Sequence, residues 1–153
     1  MSTRSMIIFT DKKENEIETT QTGKIRISKN RIKSCSKDPC IYVHWDGYPE
    51  NRLREIDNYM KLPQVRTDDK EYCAAWFIPY LLNEANKKIE EQIDCSGYGI
   101  NGDISIDVCS YIYIVHCSSE VVTIIDGFSF HPIAKYDLGS DIDEFLQEWR
   151  GLD

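Results

Sequence analysis

Apolar positions along this chain recur with two periods, and the change from one to the other outlines the elements. Met6-Ile7-Ile8-Phe9 opens as a short continuous apolar run and predicts a first strand over residues 6–9. Residues 10–39 are polar and interrupted, with Asp11-Lys12-Lys13-Glu14-Asn15 as a turn. Within them Lys24-Ile25-Arg26-Ile27-Ser28 alternates as a half-exposed strand does. Cys40-Ile41-Tyr42-Val43-His44-Trp45 predicts a further strand, with Ile41, Val43 and Trp45 on one face and Tyr42 and His44 on the other. Asp46-Gly47 breaks it, and Pro49 suits the first turn of a helix with Leu53, Ile56 and Met60 as its apolar stripe, ending by Pro63. The longest helix is expected over about Asp69 to Ile93. Its stripe is Ala74, Phe77, Ile78, Leu81, Leu82, Ala85 and Ile89, and Pro79 is expected to kink or divide it.

Gly97, Gly99 and Gly102 read as a loop. Residues 108–117 and 121–126, both rich in β-branched residues, form a hairpin about Ser118-Ser119-Glu120. A last helix carries Ile142, Phe145, Leu146 and Trp149, with Ser140 as N-cap and Asp143 as its reciprocal partner. Hairpins and helices without a βαβ rhythm predict an α+β fold: a mostly antiparallel sheet of four or five strands packed with about three helices. One domain over residues 1–153 is expected, with a polar, basic inserted segment at about 11–39.

Composition narrows the function classes. The 153 residues are 41% hydrophobic and 29% charged, with a net charge of −8. No apolar stretch reaches the roughly 20 residues of a membrane span, and the run at residues 7–9 is too short for a signal peptide. The expected location is cytoplasmic, with no membrane partner. The acidic balance disfavours direct DNA binding. It suits a protein whose acidic face docks on a basic surface of a partner. Against that balance, Lys24, Arg26, Lys29, Arg31, Lys33 and Lys37 form a basic stripe with no acidic residue from 24 to 37. It reads either as a guarded edge strand or as an anion contact. The six cysteines lack zinc-knuckle spacing and are expected to be buried free thiols. Cys35 and Cys40 flank a turn and can approach each other. Cys109 and Cys117, read as one strand, stand about 26 Å apart.

The only histidines are His44, His116 and His131. If the protein is an enzyme, His44 and Asp46 are the expected general base and orienting carboxylate. Alternation argues against a His44–His116 pair: if both apolar stripes face one core, His44 lies outside it and His116 inside. No nucleophile elbow, phosphate loop or dinucleotide fingerprint is present, and no metal or cofactor is expected. Structurally, His44-Trp45-Asp46-Gly47-Tyr48-Pro49 reads as a corner in which Asp46 caps the helix, Gly47 turns, and Trp45 and Tyr48 pack.

Met1-Ser2-Thr3-Arg4-Ser5-Met6-Ile7, with Ile41-Tyr42-Val43-His44-Trp45-Asp46-Gly47-Tyr48-Pro49-Glu50, resembles a group of small phage and prokaryotic proteins of uncharacterised function. Their start is M-x-T-R-S-x-I and their strand pair leads into H-x-D-G-Y-P-E. Residues 71–78, Gly102-Asp103-Ile104 and Tyr111-Ile112-Tyr113 are also similar, although residues 11–39 replace a short turn. The resemblance implies no activity, only the setting of a small accessory protein of a mobile element. With the acidic balance, the absent catalytic motif and the inserted segment, the expectation is a non-enzymatic protein that binds and blocks a host defence (such as CRISPR) or nucleic-acid-processing protein with a basic surface. The alternative is a nucleotide- or phosphate-ligand binding protein or hydrolase, with Arg4, Lys24, Arg26, His44, Asp46 and Tyr48 as ligand contacts.

Overall fold

The computed structural model describes residues 3–13, 19–21, 24–26, 38–44, 46–86, 98–100, 109–129 and 131–151. In chain order the elements are β1 (Ser5–Thr10), β2 (Thr19–Gln21), β3 (Lys24–Arg26), β4 (Cys40–Val43), α1 (Pro49–Met60), α2 (Lys70–Asn86), β5 (Tyr98–Ile100), β6 (Tyr111–His116), β7 (Val121–Asp126), β8 (Pro132–Asp137) and α3 (Ile142–Gly151). The fold is α+β. Six strands form one sheet in the order β5-β4-β1-β6-β7-β8, and β2 pairs with β3 in a separate ribbon. The large sheet exceeds the expected count and is mixed: β1 runs parallel to β6, while its other pairings are antiparallel.

β1 sits centrally, paired on both edges, and all six of its residues are buried. A strand covered on both faces reads as a continuous apolar run, which is why Met6–Phe9 shows no alternation. The two apolar stripes of the sheet point in opposite directions. Ile7, Phe9, Ile41, Val43, Tyr113, Val115, Val122 and Ile124 join Leu53, Ile56, Phe77, Leu81 and Leu146 of the three helices in one core. Met6, Ile8, Cys40, Ile112, Ile114 and Ile125 form a second cluster on the other face. The condition that both stripes face one core, on which the placement of His44 and His116 depended, is therefore not met.

Other expectations shift locally. Tyr98–Ile100, within the expected Gly-rich loop, is an edge strand pairing with β4, while Gly97 and Gly102 lie outside the described residues. Pro132–Asp137 adds the opposite edge strand, which the pattern did not announce. α2 runs on through Pro79. Helix α3 takes its cap from Asp141, not Ser140: the Asp141 carboxylate accepts from the Glu144 amide at 3.2 Å. Cys109 and Cys117 flank β6 rather than sharing it. Both are buried free thiols, as are Cys40 and Cys73; Cys35 lies outside the described residues.

Polar contacts fix the helices to the sheet. The Thr10 hydroxyl donates to Asp38 at 2.8 Å, and Lys70 meets the same carboxylate at 2.6 Å, joining the end of β1 to the start of α2. That pairing raises the Lys70 pKa, the hydrogen bond to Asp38 being the largest cause. Asp57, fully buried in α1, pairs with Lys61 at 2.6 Å and accepts the Gly139 amide at 2.9 Å, tying α1 to the turn before α3. A buried carboxylate persists when such partners satisfy it.

Candidate functional site

The strand-to-helix corner at residues 44–49 is well defined. Its backbone crosses the start of β1: the Gly47 amide donates to the Thr3 carbonyl at 2.8 Å. A Cβ at Gly47 would stand 2.7 Å from that oxygen and 2.8 Å from the Ser5 Cβ, so only glycine fits. The Tyr113 hydroxyl, deep in the sheet, donates to the Gly47 carbonyl at 2.5 Å. Burial drives the Tyr113 pKa well up, keeping the donor protonated. The turn itself is made by Asp46, whose φ is +51°. Asp46 does not cap α1. The N-cap is Tyr48, without a side-chain cap bond, and Pro49 takes the first turn as expected.

The backbone gathers Arg4, His44, Asp46 and Tyr48 at one end of the sheet, but the His44 and Tyr48 side chains turn apart. His44 Nδ1 lies 2.8 Å from the Tyr42 hydroxyl, and Tyr42 packs on the second apolar cluster. The Tyr48 ring lies 6.0 Å from Tyr111, which packs on the helix-bearing core. The Asp46 residue is exposed. His44 and Tyr48 thus serve opposite faces of the sheet.

His44 and His116 also remain apart, though not for the reason that alternation gave. His44 follows Val43, the partner of Ser5, whereas His116 pairs with Thr10 at the other end of β1. Five residues of strand, about 17 Å, separate those positions. The buried His116 ring donates from Nδ1 to the Lys12 carbonyl at 2.7 Å, so in the neutral ring Nε2 accepts from the Thr123 hydroxyl at 2.9 Å. It is a structural histidine. Lys24 and Arg26 occupy β3, opposite Gln21 and Thr19 in the ribbon. Lys29, Arg31, Lys33, Lys37 and Trp45 lie outside the described residues. No group of three or more metal-ligating side chains occurs among the described residues.

A well-formed recess lies elsewhere. Between the end of α1, the 61–69 connection and the outer face of α2 is a groove of about 560 Å³, within the usual range for ligand pockets. Tyr59, Tyr72, Trp76 and Tyr80 give it aromatic walls, joined by Leu62, Val65 and Pro79, with Gln64, Arg66 and Asn83 as its polar points. Tyr72 and Trp76, one helical turn apart, stand 6.3 Å from each other. Trp76 is 57% exposed and Tyr72 47%. The Arg66 guanidinium lies 5.2 Å over the Tyr72 ring, within cation–π reach. Below the groove the Tyr59 hydroxyl donates to the Cys73 carbonyl at 2.6 Å, and burial raises its pKa.

No family model, curated protein or solved structure matches this chain. The groove therefore stands on its own chemistry. Its lining has no nucleophile–base pair, and its aromatic residues are the types enriched where proteins meet. The sequence carried a signal for it. Tyr72, Trp76 and Tyr80 recur at four-residue steps, a second apolar stripe beside the core-facing Cys73, Phe77 and Leu81. Reading α2 for one buried face hides that outer stripe. A smaller recess of about 210 Å³, lined by Met60, Lys61, Glu120, Leu138 and Gly139, falls below the usual ligand range.

Proposed function

We propose that the protein is a small non-enzymatic binding protein that docks on a partner protein through the groove between α1 and α2. The exposed Tyr72–Trp76 pair at the mouth of that groove carries this reading. A tryptophan more than half exposed beside a preformed apolar recess is a typical anchor for a protein contact. The charge around it indicates the partner's chemistry. Lys70 is turned inward onto Asp38 and Asp11, which leaves Glu71 exposed next to Tyr72, while exposed Asp68 pairs with Arg66 at 3.8 Å. With a net charge of −8, such a rim favours a segment that presents an apolar or aromatic side chain flanked by lysine or arginine. An accessory protein of a mobile element that inhibits a host defence or nucleic-acid-processing protein fits this reading, since such targets carry basic surfaces.

The competing reading is a nucleotide or phosphate ligand at Arg4, His44, Asp46 and Tyr48. The divergence of His44 and Tyr48 across the sheet counts against it. One experiment separates the two: thermal unfolding against a nucleotide panel, run beside affinity capture from bacterial lysate with wild type, Trp76→Ala and His44→Ala. Docking through the groove predicts a salt-sensitive partner retained by His44→Ala and lost by Trp76→Ala, with no nucleotide stabilisation. A nucleotide at 100 times its dissociation constant would stabilise by about 2.7 kcal/mol; seeing this in wild type and not in His44→Ala would overturn the proposal.

A further inference from the structure

The polar groups of the groove define what kind of chain suits it. Among the described residues, neither the Tyr72 hydroxyl nor the Trp76 indole N–H makes a hydrogen bond. Both rings line the groove, and both are about half exposed. Gln64 and Asn83 add exposed side-chain amides to the same lining. An indole N–H can only donate, so the Trp76 edge calls for an acceptor on whatever lies against it.

Three modes of peptide recognition make different demands here. Strand addition needs an open sheet edge, and this groove lies between α1, the 61–69 connection and α2. A docked helix holds its carbonyls in its own backbone bonds and leaves the indole donor unmatched. A polyproline II segment has no internal hydrogen bonds, so its carbonyls stay open to donors, and its prolines pack against aromatic walls. The spacing agrees. Tyr72, Trp76 and Tyr80 form three aromatic ridges on α2, one every four residues, or about 6 Å of helix. Two residues of polyproline II rise about 6.2 Å. A segment lying along α2 thus sets two prolines into successive gaps, one on each side of Trp76. Tyr59, 5.3 Å from Tyr80, backs the second gap.

Charge selects the flank of that segment. Arg66 is already engaged, 5.2 Å over the Tyr72 ring and 3.8 Å from Asp68. Glu71, exposed beside Tyr72, has no ion pair among the described residues. Resting on the docking reading of this groove, we infer that its occupant is a proline-rich segment of a partner protein in polyproline II conformation. An arginine or lysine next to its prolines meets Glu71, and a segment carbonyl accepts from the Trp76 indole. Such a segment is largely pre-ordered before it binds, which lowers the cost of fixing it in a small groove.

The test titrates the isotope-labelled full chain with two capped peptides and follows it by NMR. One is a run of nine prolines ending in arginine; the other is an alanine-rich helical peptide with two leucines four residues apart and the same terminal arginine. The chain has three tryptophans, and Trp76→Phe assigns the Trp76 indole signal by its loss. The proline peptide should bind saturably, tighter than the helical one by roughly tenfold or more, and shift the Trp76 indole signal while the other two stay still. Trp76→Phe keeps a ring without the donor and should bind roughly fivefold weaker. Replacing the terminal arginine by glutamine should cost roughly threefold at low salt in wild type and clearly less in Glu71→Gln. No saturable binding of the proline peptide, tighter binding of the helical one, or an unmoved Trp76 indole would each overturn the inference. So would equal affinity in Trp76→Phe, or an arginine preference unchanged in Glu71→Gln. If a lysate partner is then still lost by Trp76→Ala, the docking reading stands and only its proline-rich ligand falls; a partner retained by Trp76→Ala removes the docking reading itself.

Discussion

At the scale of single residues, the corner at Gly47 sets where the polar candidates can point. Gly47 is held between the Thr3 carbonyl and the Tyr113 hydroxyl, and a methyl group there would strike backbone rather than a flexible side chain. Gly47→Ala should destabilise the protein by about 1–3 kcal/mol, read as a lower urea midpoint with an unchanged slope. Tyr113→Phe keeps the ring but leaves a buried carbonyl unpaired, which should cost about 1–3 kcal/mol. If Tyr113→Phe unfolds like wild type, the corner is not anchored through the sheet. The glycine was legible in the sequence as a breaker, but its reason was not. The left-handed conformation falls on Asp46, and glycine is needed for close approach, a property of distant residues that no local pattern carries.

At the scale of elements, the legible parts are those with a dense or strictly periodic apolar pattern: β1, β4, the β6–β7 hairpin and the three helices. The edge strands were not. β5 is three residues long with a central glycine, and β8 begins at a proline and is mostly half-exposed. Short, half-solvated edges bury too little on one face to imprint alternation. The capping of α3 shows how a boundary slips by one residue. Ser140 and Asp141 are both good caps by type, but the Asp141 carboxylate makes the bond, whereas Ser140 serves through its carbonyl, which accepts the Tyr136 hydroxyl at 2.8 Å. Asp141→Ala should therefore cost about 0.5–2 kcal/mol, while Ser140→Ala should fall within about 0.5 kcal/mol of wild type. Thermal unfolding of the two variants decides between the caps, and the reverse ranking would return the cap to Ser140.

At the scale of the whole molecule, the decisive fact is that the sheet has two apolar faces. Alternation showed that His44 lies off the Ile41–Val43 stripe and His116 on the Ile112–Ile114 stripe, but not that those stripes point apart; β1, buried throughout, joins the two clusters. The buried ionisable groups also give the molecule a defined response to alkali. Lys70, Tyr59, Tyr113, Tyr136 and Cys109 all hold their protons more tightly when folded. The folded state thus binds more protons than the unfolded state above the ordinary thiol and phenol values. This contribution is fully present below about pH 8.5 and is lost progressively as pH rises, through about 11 for Cys109 and at still higher pH for the tyrosines. Urea unfolding should show stability falling across that window; stability that rises there would contradict the placement of these groups. Among the described residues no helix is long and apolar enough to cross a membrane.

The groove's role as a docking surface is tested most directly by titrating the captured partner against wild type, Trp76→Ala and His44→Ala. Trp76 is 57% exposed, so its truncation should leave the fold intact by circular dichroism. It should weaken binding by about 30-fold or more, the loss expected of a central aromatic anchor at about 2 kcal/mol. His44→Ala should bind like wild type. Equal affinity for wild type and Trp76→Ala, with loss in His44→Ala, would move the site to the strand-to-helix corner and contradict the account.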